Sequence, residues 1–180
     1  MPIKNITLTL EALVAALQEA SAPLFYPSES DGPFEIHTFP AAEVGETFTS
    51  DDFRSLVYSK NGRSIVSTEW AEMHRADSNG TQRFFRNLLD VITIAPDNTY
   101  SVAELYNVEQ VSQWRKLRDL LFDNTVDRKW FRFELAEPDT ARKDIYAVGR
   151  HLLATVNDET NETTITPGDW VVLATYVIET

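Results

Sequence analysis

The sequence predicts an α+β domain built around a mostly antiparallel sheet. In the second half of the chain, two stretches with apolar residues at helical spacing precede several stretches that alternate apolar and polar residues. Helices followed by sequential strands favour separate helical and sheet layers over alternating βαβ units. The chain has 180 residues, which suits one domain or at most two small ones. We expect a single domain over residues 1–180.

The first half of the chain contains three predicted elements. Apolar residues at helical spacing predict a helix over 9–19, with Thr7 or Thr9 as its N-cap. The segment "FEIHTF" alternates as a strand does, and "SDDFRSLVYS" predicts a short helix capped by Ser50. Between these elements, "APLFYPSESDGP" predicts a shaped loop and "AAEVGET" a turn, while "RSIV" is a short apolar piece.

The second half of the chain begins with two predicted helices. The first, "TQRFFRNLLDVITIA", ends at Pro96. The second, "VEQVSQWRKLRDLLF", has an apolar face made of Val111, Trp114, Leu117 and Leu121. Four stretches, "KWFRFEL", "KDIYAVG", "RHLLATV" and "WVVLATYVI", then predict strands. The acidic segment "NDETNETTITPGD" predicts a long polar connection before the last strand, over residues 157–168.

The charge balance limits the class of partner. The chain has 16 basic and 28 acidic residues, a net charge of −12 and a pI of about 4.6. An acidic surface argues against binding a nucleic acid and favours a basic protein partner, although it is also common in proteins that have no such partner. Glu11 interrupts the apolar run near the N-terminus, and no stretch has the length of a transmembrane helix. We therefore expect a soluble, cytoplasmic protein that does not contact a membrane.

The residue types that usually catalyse reactions or bind metals form no recognisable pattern. The chain has no cysteine, and its histidines, His37, His74 and His151, lie far apart in the sequence. No glycine-rich phosphate loop, nucleophile elbow or EF-hand loop is present. Among 28 acidic residues, carboxylate pairs arise by chance. We expect a binding protein with no cofactor and no metal of its own, and an enzyme with an unrecognised carboxylate site is the alternative.

Two stretches stand out from this background. In "YPSESDGPFEI", Pro27 and Pro33 bracket four polar residues, Ser28, Glu29, Ser30 and Asp31. Because proline fixes φ and restricts the residue before it, this loop can hold Glu29 at a fixed place. The alternative is an ordinary turn in which the Ser and Asp side chains cap backbone donors.

The second stretch is "GDWVVLATYVIET", in which a strand pattern continues almost to Thr180. A strand anchored by its apolar residues holds Thr180 close to the sheet, and a free α-carboxylate there is an anion at neutral pH. The alternative is that this strand simply ends at this point.

Together these stretches resemble the nuclease A inhibitor family, small acidic bacterial proteins that inhibit sugar-non-specific endonucleases of the ββα-metal type. The matching motif near the start consists of Ala20-Ser21, Leu24, Ser28-Glu29-Ser30-Asp31 and Pro33-Phe34-Glu35. The closing strand keeps Gly168, Thr175, Val177 and Glu179-Thr180. "DIYAVG" and "FFRNLLDVI" resemble further family segments. The chain is longer than the family's founding type, with extra residues around 98–127 and 157–167.

The resemblance implies a three-layer α-β-α sandwich with a mostly antiparallel central sheet. It also implies a monomer when free, whose ligand is a ββα-metal endonuclease. The family's inhibitory residues correspond to Glu29 and Thr180, which approach the partner's catalytic metal, together with the neighbouring Ser28, Ser30 and Glu179. The nearest match to a further acidic-Trp pair, on a loop in the family, is Glu69-Trp70, and partial burial as a packing residue is the alternative for Trp70. A sandwich-fold interaction protein with another partner remains the alternative function.

Overall fold

A computed structural model of the chain describes residues 3–26, 32–74, 84 and 108–179. The helices are α1 (Leu10–Ser21), α2 (Ala41–Val44), α3 (Ser50–Phe53) and α4 (Val108–Asn124). The α3 helix continues into a π-helical turn (Arg54–Tyr58) and a 3-10 turn (Ser59–Asn61). The strands are β1 (Ile3–Asn5), β2 (Phe25–Tyr26), β3 (Gly32–Pro33), β4 (Glu35–Phe39), β5 (Ile65–Glu72), β6 (Thr125–Leu135), β7 (Arg142–Asn157) and β8 (Thr163–Ile178).

Six of the strands form one sheet in the order β4-β8-β7-β6-β5, with β1 added along the far part of β7. Every pairing in this sheet is antiparallel. A separate antiparallel ribbon joins β2 to β3. The predicted α+β class with an antiparallel sheet is therefore confirmed. The four strands from β5 to β8 pair in chain order, and β4 lies on the outer side of β8.

The predicted helix over 9–19 and the predicted helix "VEQVSQWRKLRDLLF" are both confirmed, as α1 and α4. Thr9 is the N-cap of α1, and its hydroxyl accepts a hydrogen bond from the Ala12 amide at 3.3 Å. Three residues of the predicted apolar face of α4 are buried, namely Trp114, Leu117 and Leu121. The fourth, Val111, lies in the helix, but its side chain is outside the described set.

The cap predicted for α3 is wrong by one residue. Thr49 is the N-cap and Ser50 is the first helical residue. The Asp52 carboxylate accepts hydrogen bonds from the Thr49 amide at 2.7 Å and from the Thr49 hydroxyl at 3.0 Å. An acidic side chain three residues inside the helix thus satisfies the cap backbone, as in a capping box. The turn predicted at "AAEVGET" contains the one-turn helix α2, which ends at Gly45 with φ of 90°.

The long connection predicted over 157–168 is wrong. The stretches "KDIYAVG" and "RHLLATV" belong to one strand, β7, and β8 already begins at Thr163. A tight turn joins them, in which the Asn157 amide donates to the Glu162 carbonyl oxygen at 2.9 Å. This part of β8 is polar because both of its faces are exposed to solvent, so the usual apolar alternation is absent.

The strand β5 is longer than the apolar piece "RSIV" predicts, since it extends to Glu72. Its central residues are mostly polar because it lies at the edge of the sheet. The helix predicted for "TQRFFRNLLDVITIA" lies outside the described residues except for Phe84, which is helical and buried.

Two clusters of buried side chains lie on the two faces of the sheet. Residues that alternate along β7 show the division, because Ile145 and Ala147 belong to one cluster and Tyr146 and Val148 to the other. The helical-face cluster joins these strands to α1 and α4, chiefly through Leu13, Leu17, Trp114, Leu117, Leu121, Trp130, Ile145, Ala147, Val171 and Leu173. The aromatic-face cluster consists of Phe48, Phe53, Tyr58, Phe131, Phe133, Leu135, Tyr146, Val148, Trp170 and Val172.

Candidate functional site

The predicted site residues fall into two groups. Four of them, Ser28, Glu29, Ser30 and Thr180, lie outside the described residues. The other three, Glu69, Trp70 and Glu179, are described, and all three are exposed at the surface. The described part of the site is therefore built from β5, from the end of β8 and from the residues that flank the segment 27–31.

Arg132 brings two of the predicted acidic residues together. Its Nη2 atom lies 2.6 Å from the Glu179 Oε2 atom, and its Nη1 atom lies 3.9 Å from the Glu69 Oε1 atom. Arg132 is the register partner of Glu69 on the neighbouring strand. The Glu179 amide also donates to the Ala141 carbonyl oxygen at 2.8 Å, which holds the end of β8 against the start of β7. Glu69 and Glu179, 110 positions apart in sequence, thus lie beside one guanidinium group.

Arg132 is less exposed to solvent than the two glutamates that it contacts. Arg132 is 24% exposed, whereas Glu69 is 47% exposed and Glu179 is 53% exposed. The arginine therefore lies beneath the two carboxylates, and about half of each acidic side chain remains accessible to a partner. Ion pairs of this exposure contribute little to stability, so the effect of Arg132 is mainly to position the two acids.

The chain that leaves the segment 27–31 is fixed against β8. The Thr175 hydroxyl donates a hydrogen bond to the Gly32 carbonyl oxygen at 3.2 Å. A Cβ atom at Gly32 would collide with the carbonyl oxygen of Tyr176, so this approach requires glycine. Because Tyr26 pairs with Gly32, both ends of the Ser-Glu-Ser segment lie next to the C-terminal part of β8.

One row of the sheet connects these parts. Glu69 pairs with Arg132, Arg132 with Ile145, and Ile145 with Thr175. Directly paired residues on antiparallel strands share a face of the sheet, here the face that carries α1 and α4. The row ends at Thr175, which contacts Gly32. Glu69 and the Gly32 contact therefore lie in one row of the sheet, three strands apart, with the buried Ile145 between them.

Trp70 lies on the other face. The acidic-Trp pair was expected on a loop, but both residues lie within β5, where successive side chains point to opposite sides. Trp70 is 57% exposed, so it is not the partly buried packing residue of the alternative interpretation. The Lys129 Nζ atom lies 5.3 Å from the centre of its ring, on the same face. Glu69 and Trp70 consequently cannot form one patch on a single face.

The aromatic face contains a buried polar network that the sequence analysis did not single out. The Asp144 carboxylate accepts a hydrogen bond from the Tyr58 hydroxyl at 2.8 Å and another from the Arg142 Nε atom at 2.7 Å. The hydroxyls of Tyr58 and Tyr146 lie 3.0 Å apart, and the Arg63 Nη1 atom is 3.7 Å from Asp144. An aspartate at the inward position of an alternating strand was the available signal.

Burial governs the titration of this network. Loss of water contact, reinforced by the nearby Tyr146 and Asp144, raises the pKa of Tyr58 far above its ordinary value. Burial, reinforced by Asp144, raises the pKa of Tyr146 to about 12. The bond to Asp144 raises the pKa of Arg142 even though burial opposes this shift. At neutral pH both tyrosine hydroxyls are therefore protonated and can donate hydrogen bonds.

The histidines lie in separate environments. His37 and His74 are exposed, and each ring Nε2 atom lies 3.1 Å from a glutamate two residues earlier, Glu35 or Glu72. His151 is buried and its Nε2 atom lies 2.8 Å from the Leu8 carbonyl oxygen. Within residues 3–26, 32–74, 84 and 108–179, no group of three or more His, Asp or Glu side chains is arranged to hold a metal ion.

Comparison of the chain with protein-family models gives no match, and no curated protein matches it. The helices in the described part of the chain include none with the length and apolar character needed to span a membrane.

Proposed function

We propose that the protein inhibits a sugar-non-specific, metal-dependent endonuclease by covering its active site with an acidic surface. The observation that supports this most strongly is the contact of Arg132 with both Glu69 and Glu179, on the same face of the sheet on which Thr175 holds the Gly32 end of the Ser-Glu-Ser segment. These are regions for which the family resemblance implies partner binding. The net charge of −12 suits a partner whose groove is positive because its substrate is a polyanion.

The proposed chemistry requires anionic oxygen at a metal rather than the shape of a nucleotide. A nuclease that uses a hard cation such as Mg²⁺ binds it through oxygen ligands and water. The Glu29 carboxylate supplies such an oxygen, and the role that the resemblance assigns to Thr180 is the same. In this proposal, Glu69 and Glu179 face the positive rim of the groove. Arg132 restricts both side chains, which lowers the entropy cost of ordering them on binding.

The proposal includes the finer architecture of the family, a three-layer α-β-α sandwich. The contacts of α1 and α4 with one face of the sheet support it, as do the contacts of α2, α3 and the π-helical turn with the other. In such a sandwich the two ends of the sheet stay uncovered, and the proposed surface lies at one of these ends.

Inhibition of a purified ββα-metal endonuclease tests the function. We expect the intact protein to inhibit it, and we expect Glu29→Gln to weaken inhibition by at least about tenfold because interface energies concentrate in a few central residues. Glu179→Gln should weaken it by about threefold, as a charge on the interface rim does. The matched control is Glu159→Gln, which removes one exposed carboxylate from the β7–β8 turn and should change inhibition by less than about twofold.

The charge dependence of association is a second test. The association rate with the nuclease should fall steeply as salt is raised, whereas the dissociation rate should change little. Chains extended by a few residues after Thr180 test the role assigned to that residue separately. If the extended chain inhibits as well as the original, that role is wrong even though inhibition itself stands.

The two alternative functions, a protein that binds another partner and an enzyme, can be tested with the same purified protein. Absence of inhibition, with the protein folded, would favour a sandwich-fold protein that binds another partner. Hydrolytic activity that copurifies with the protein and is lost in carboxylate variants would favour an enzyme.

A further inference from the structure

A second binding site is indicated on the aromatic face of the sheet, opposite the face that carries Glu69 and Arg132. A cleft of about 440 Å³ lies between the strands β4, β7 and β8 and the helical turns that follow α3. This volume is within the range of sites that hold small molecules, roughly 300–1,000 Å³. Its polar wall contains Arg63, Arg142 and Asp144, and its apolar wall contains Phe39, Phe53 and Val57.

Two guanidinium groups converge on this cleft with unused donors. Arg142 uses its Nε atom for Asp144 and lies over the ring of Tyr176, 4.3 Å from the ring centre. Its two terminal nitrogens make no hydrogen bond to any residue that the structure describes. Arg63 lies 3.4 Å from Asp139 and 3.7 Å from Asp144, too far for hydrogen bonds of normal length. Arginine donors in this state match the paired oxygens of a carboxylate or phosphate.

The local charge also favours an anion. Three cations line the cleft, Lys60, Arg63 and Arg142, against the two carboxylates Glu35 and Asp144, and Asp139 lies 3.4 Å from Arg63. This balance of three basic to three acidic residues is more positive than the 16 to 28 of the whole chain. Asp144 offsets part of this positive charge, but it contacts Arg142 through the Nε atom and leaves the two terminal nitrogens of Arg142 for a ligand. Its role is to hold Arg142 in position.

We propose that this cleft binds a small organic anion, in which a carboxylate or phosphate group contacts Arg63 and Arg142 and a flat apolar body packs against Phe39 and Val57. The cleft adjoins the Gly32 end of the proposed nuclease surface, because Pro33, Thr175 and Tyr176 line it, whereas Arg132 and Glu69 project from the opposite face of the sheet. Binding of a small anion and inhibition of a nuclease are measured separately, so the failure of one proposal is distinguishable from the failure of the other.

Three phenyl compounds of similar size test the proposal on the full chain. Phenylacetate and phenyl phosphate carry the two possible anions, and phenylacetamide is the neutral counterpart of phenylacetate. Binding is followed by titration calorimetry and by amide chemical shifts of β4 and of the residues that follow α3. We expect at least one anion to bind at least about tenfold more tightly than phenylacetamide, and the tighter anion identifies the headgroup.

Variants assign the binding to the cleft. Arg142→Gln and Arg63→Gln should each weaken binding of the tighter anion by about tenfold or more, since each removes a charge-assisted contact. Lys143→Gln is the matched control, because it removes one positive charge from the neighbouring position of β7, which projects from the other face. It should change the affinity by less than about twofold. Arg142→Lys keeps the charge without the paired donors and should restore only part of the affinity.

Circular dichroism and thermal unfolding establish that each variant is folded before its affinity is compared. Three results would overturn the proposal. One is the absence of any cleft shift with either anion up to about 10 mM, since affinities weaker than this correspond to less than about 3 kcal/mol. Another is equal binding of phenylacetamide. The third is unchanged affinity in folded Arg142→Gln and Arg63→Gln.

Discussion

On one face of the sheet, the long helices α1 and α4 contribute Leu13, Leu17, Leu117 and Leu121 to the core. On the other face, α3 and the turn that follows it contribute the buried Phe53 and Tyr58 and the partly buried Val57, and Phe48 comes from the chain just before α3. A helix of 12 or 17 residues offers several inward positions, whereas the four residues of α3 offer one or two. Aromatic residues bury more area each, so a few of them cover the second face.

The comparison extends to polar groups. The aromatic face buries the network of Asp144, Tyr58 and Tyr146, whereas the charged residues of the helical face, such as Arg132, lie near its margin. A short helical segment leaves room for a cleft beside it, and the cleft is lined by this network. The two faces therefore offer different groups to a binding partner. The helical face presents the carboxylates of Glu69 and Glu179, and the aromatic face presents the cleft that contains Arg63 and Arg142.

Truncation of one central residue on each face is expected to have the largest effects on stability. Phe53 is completely buried and its ring lies 4.3 Å from Tyr146 and 4.9 Å from Phe48, centre to centre. Phe53→Ala should reduce the free energy of unfolding by about 4 kcal/mol, and Leu117→Ala by about 3 kcal/mol, measured by urea denaturation. Phe53→Leu is the control and should cost about half as much as Phe53→Ala. A larger loss for Leu117→Ala would show that the aromatic face is not the more concentrated core.

Removal of the buried charge on the aromatic face is expected to have the next largest effect. Asp144→Asn keeps the shape of the side chain but leaves Arg142 and Arg63 without their buried anion, which should cost about 3 kcal/mol. Asp119→Asn breaks an exposed pair with Arg118 and should cost less than about 0.5 kcal/mol in the same denaturation experiment. Equal effects for the two variants would mean that the network does not stabilise the fold.

Alkaline pH should destabilise the protein through the same network. Burial raises the pKa of Tyr146 from its ordinary 10.0 to about 12, and that of Tyr58 further. Because the folded pKa is the higher one, the unfolded chain releases these protons first. The contribution to stability is complete below pH 10 and decreases above it, by about 2–3 kcal/mol for Tyr146 between pH 10 and pH 12.

Tyr146→Phe tests whether Tyr146 causes the loss of stability at alkaline pH. Over pH 9–11, the free energy of unfolding of the variant should fall less steeply than that of the original protein, by up to about 1.4 kcal/mol per pH unit. The slope is compared rather than the absolute stability, because the variant also loses the contact with the Tyr58 hydroxyl. Identical slopes would show that Tyr146 does not titrate differently in the folded and unfolded chains.

The fold was predictable where one face of an element is buried and the other is exposed. Such elements carry a period in the sequence, and α1, α4 and β6 show it clearly. The period is lost where a strand is exposed on both faces, as in the first residues of β8, or lies at the sheet edge, as in β5. In these strands the pairing partner provides the backbone hydrogen bonds, and local sequence does not encode that partner.

The candidate site was less predictable than the fold because it depends on register. Nothing near Glu69 in sequence points to Glu179, and the pairing of β5 with β6 places both beside Arg132. Arg132 had no local signal either, because it occupies a polar position of the alternating stretch "KWFRFEL", between the buried Phe131 and Phe133. For the contact of Tyr58 with Asp144, 86 positions apart, the only signal was the aspartate within the strand stretch "KDIYAVG", which does not identify its partner. The roles of Glu29 and Thr180 stay predictions, and both lie outside the described residues.

The smallest expected change in the free energy of unfolding is that of Glu179→Gln. Its size decides how the inhibition experiments are interpreted. Glu179 lies 2.6 Å from Arg132, but about half of its side chain is exposed to water, which screens the pair. Glu179→Gln should therefore change the free energy of unfolding by less than about 0.5 kcal/mol. Arg132→Gln should cost more, about 1 kcal/mol, because its stem is mostly buried beneath the two carboxylates. If Glu179→Gln instead destabilises the protein as much as Arg132→Gln, the pair is structural, and any loss of inhibition in that variant reflects folding rather than binding.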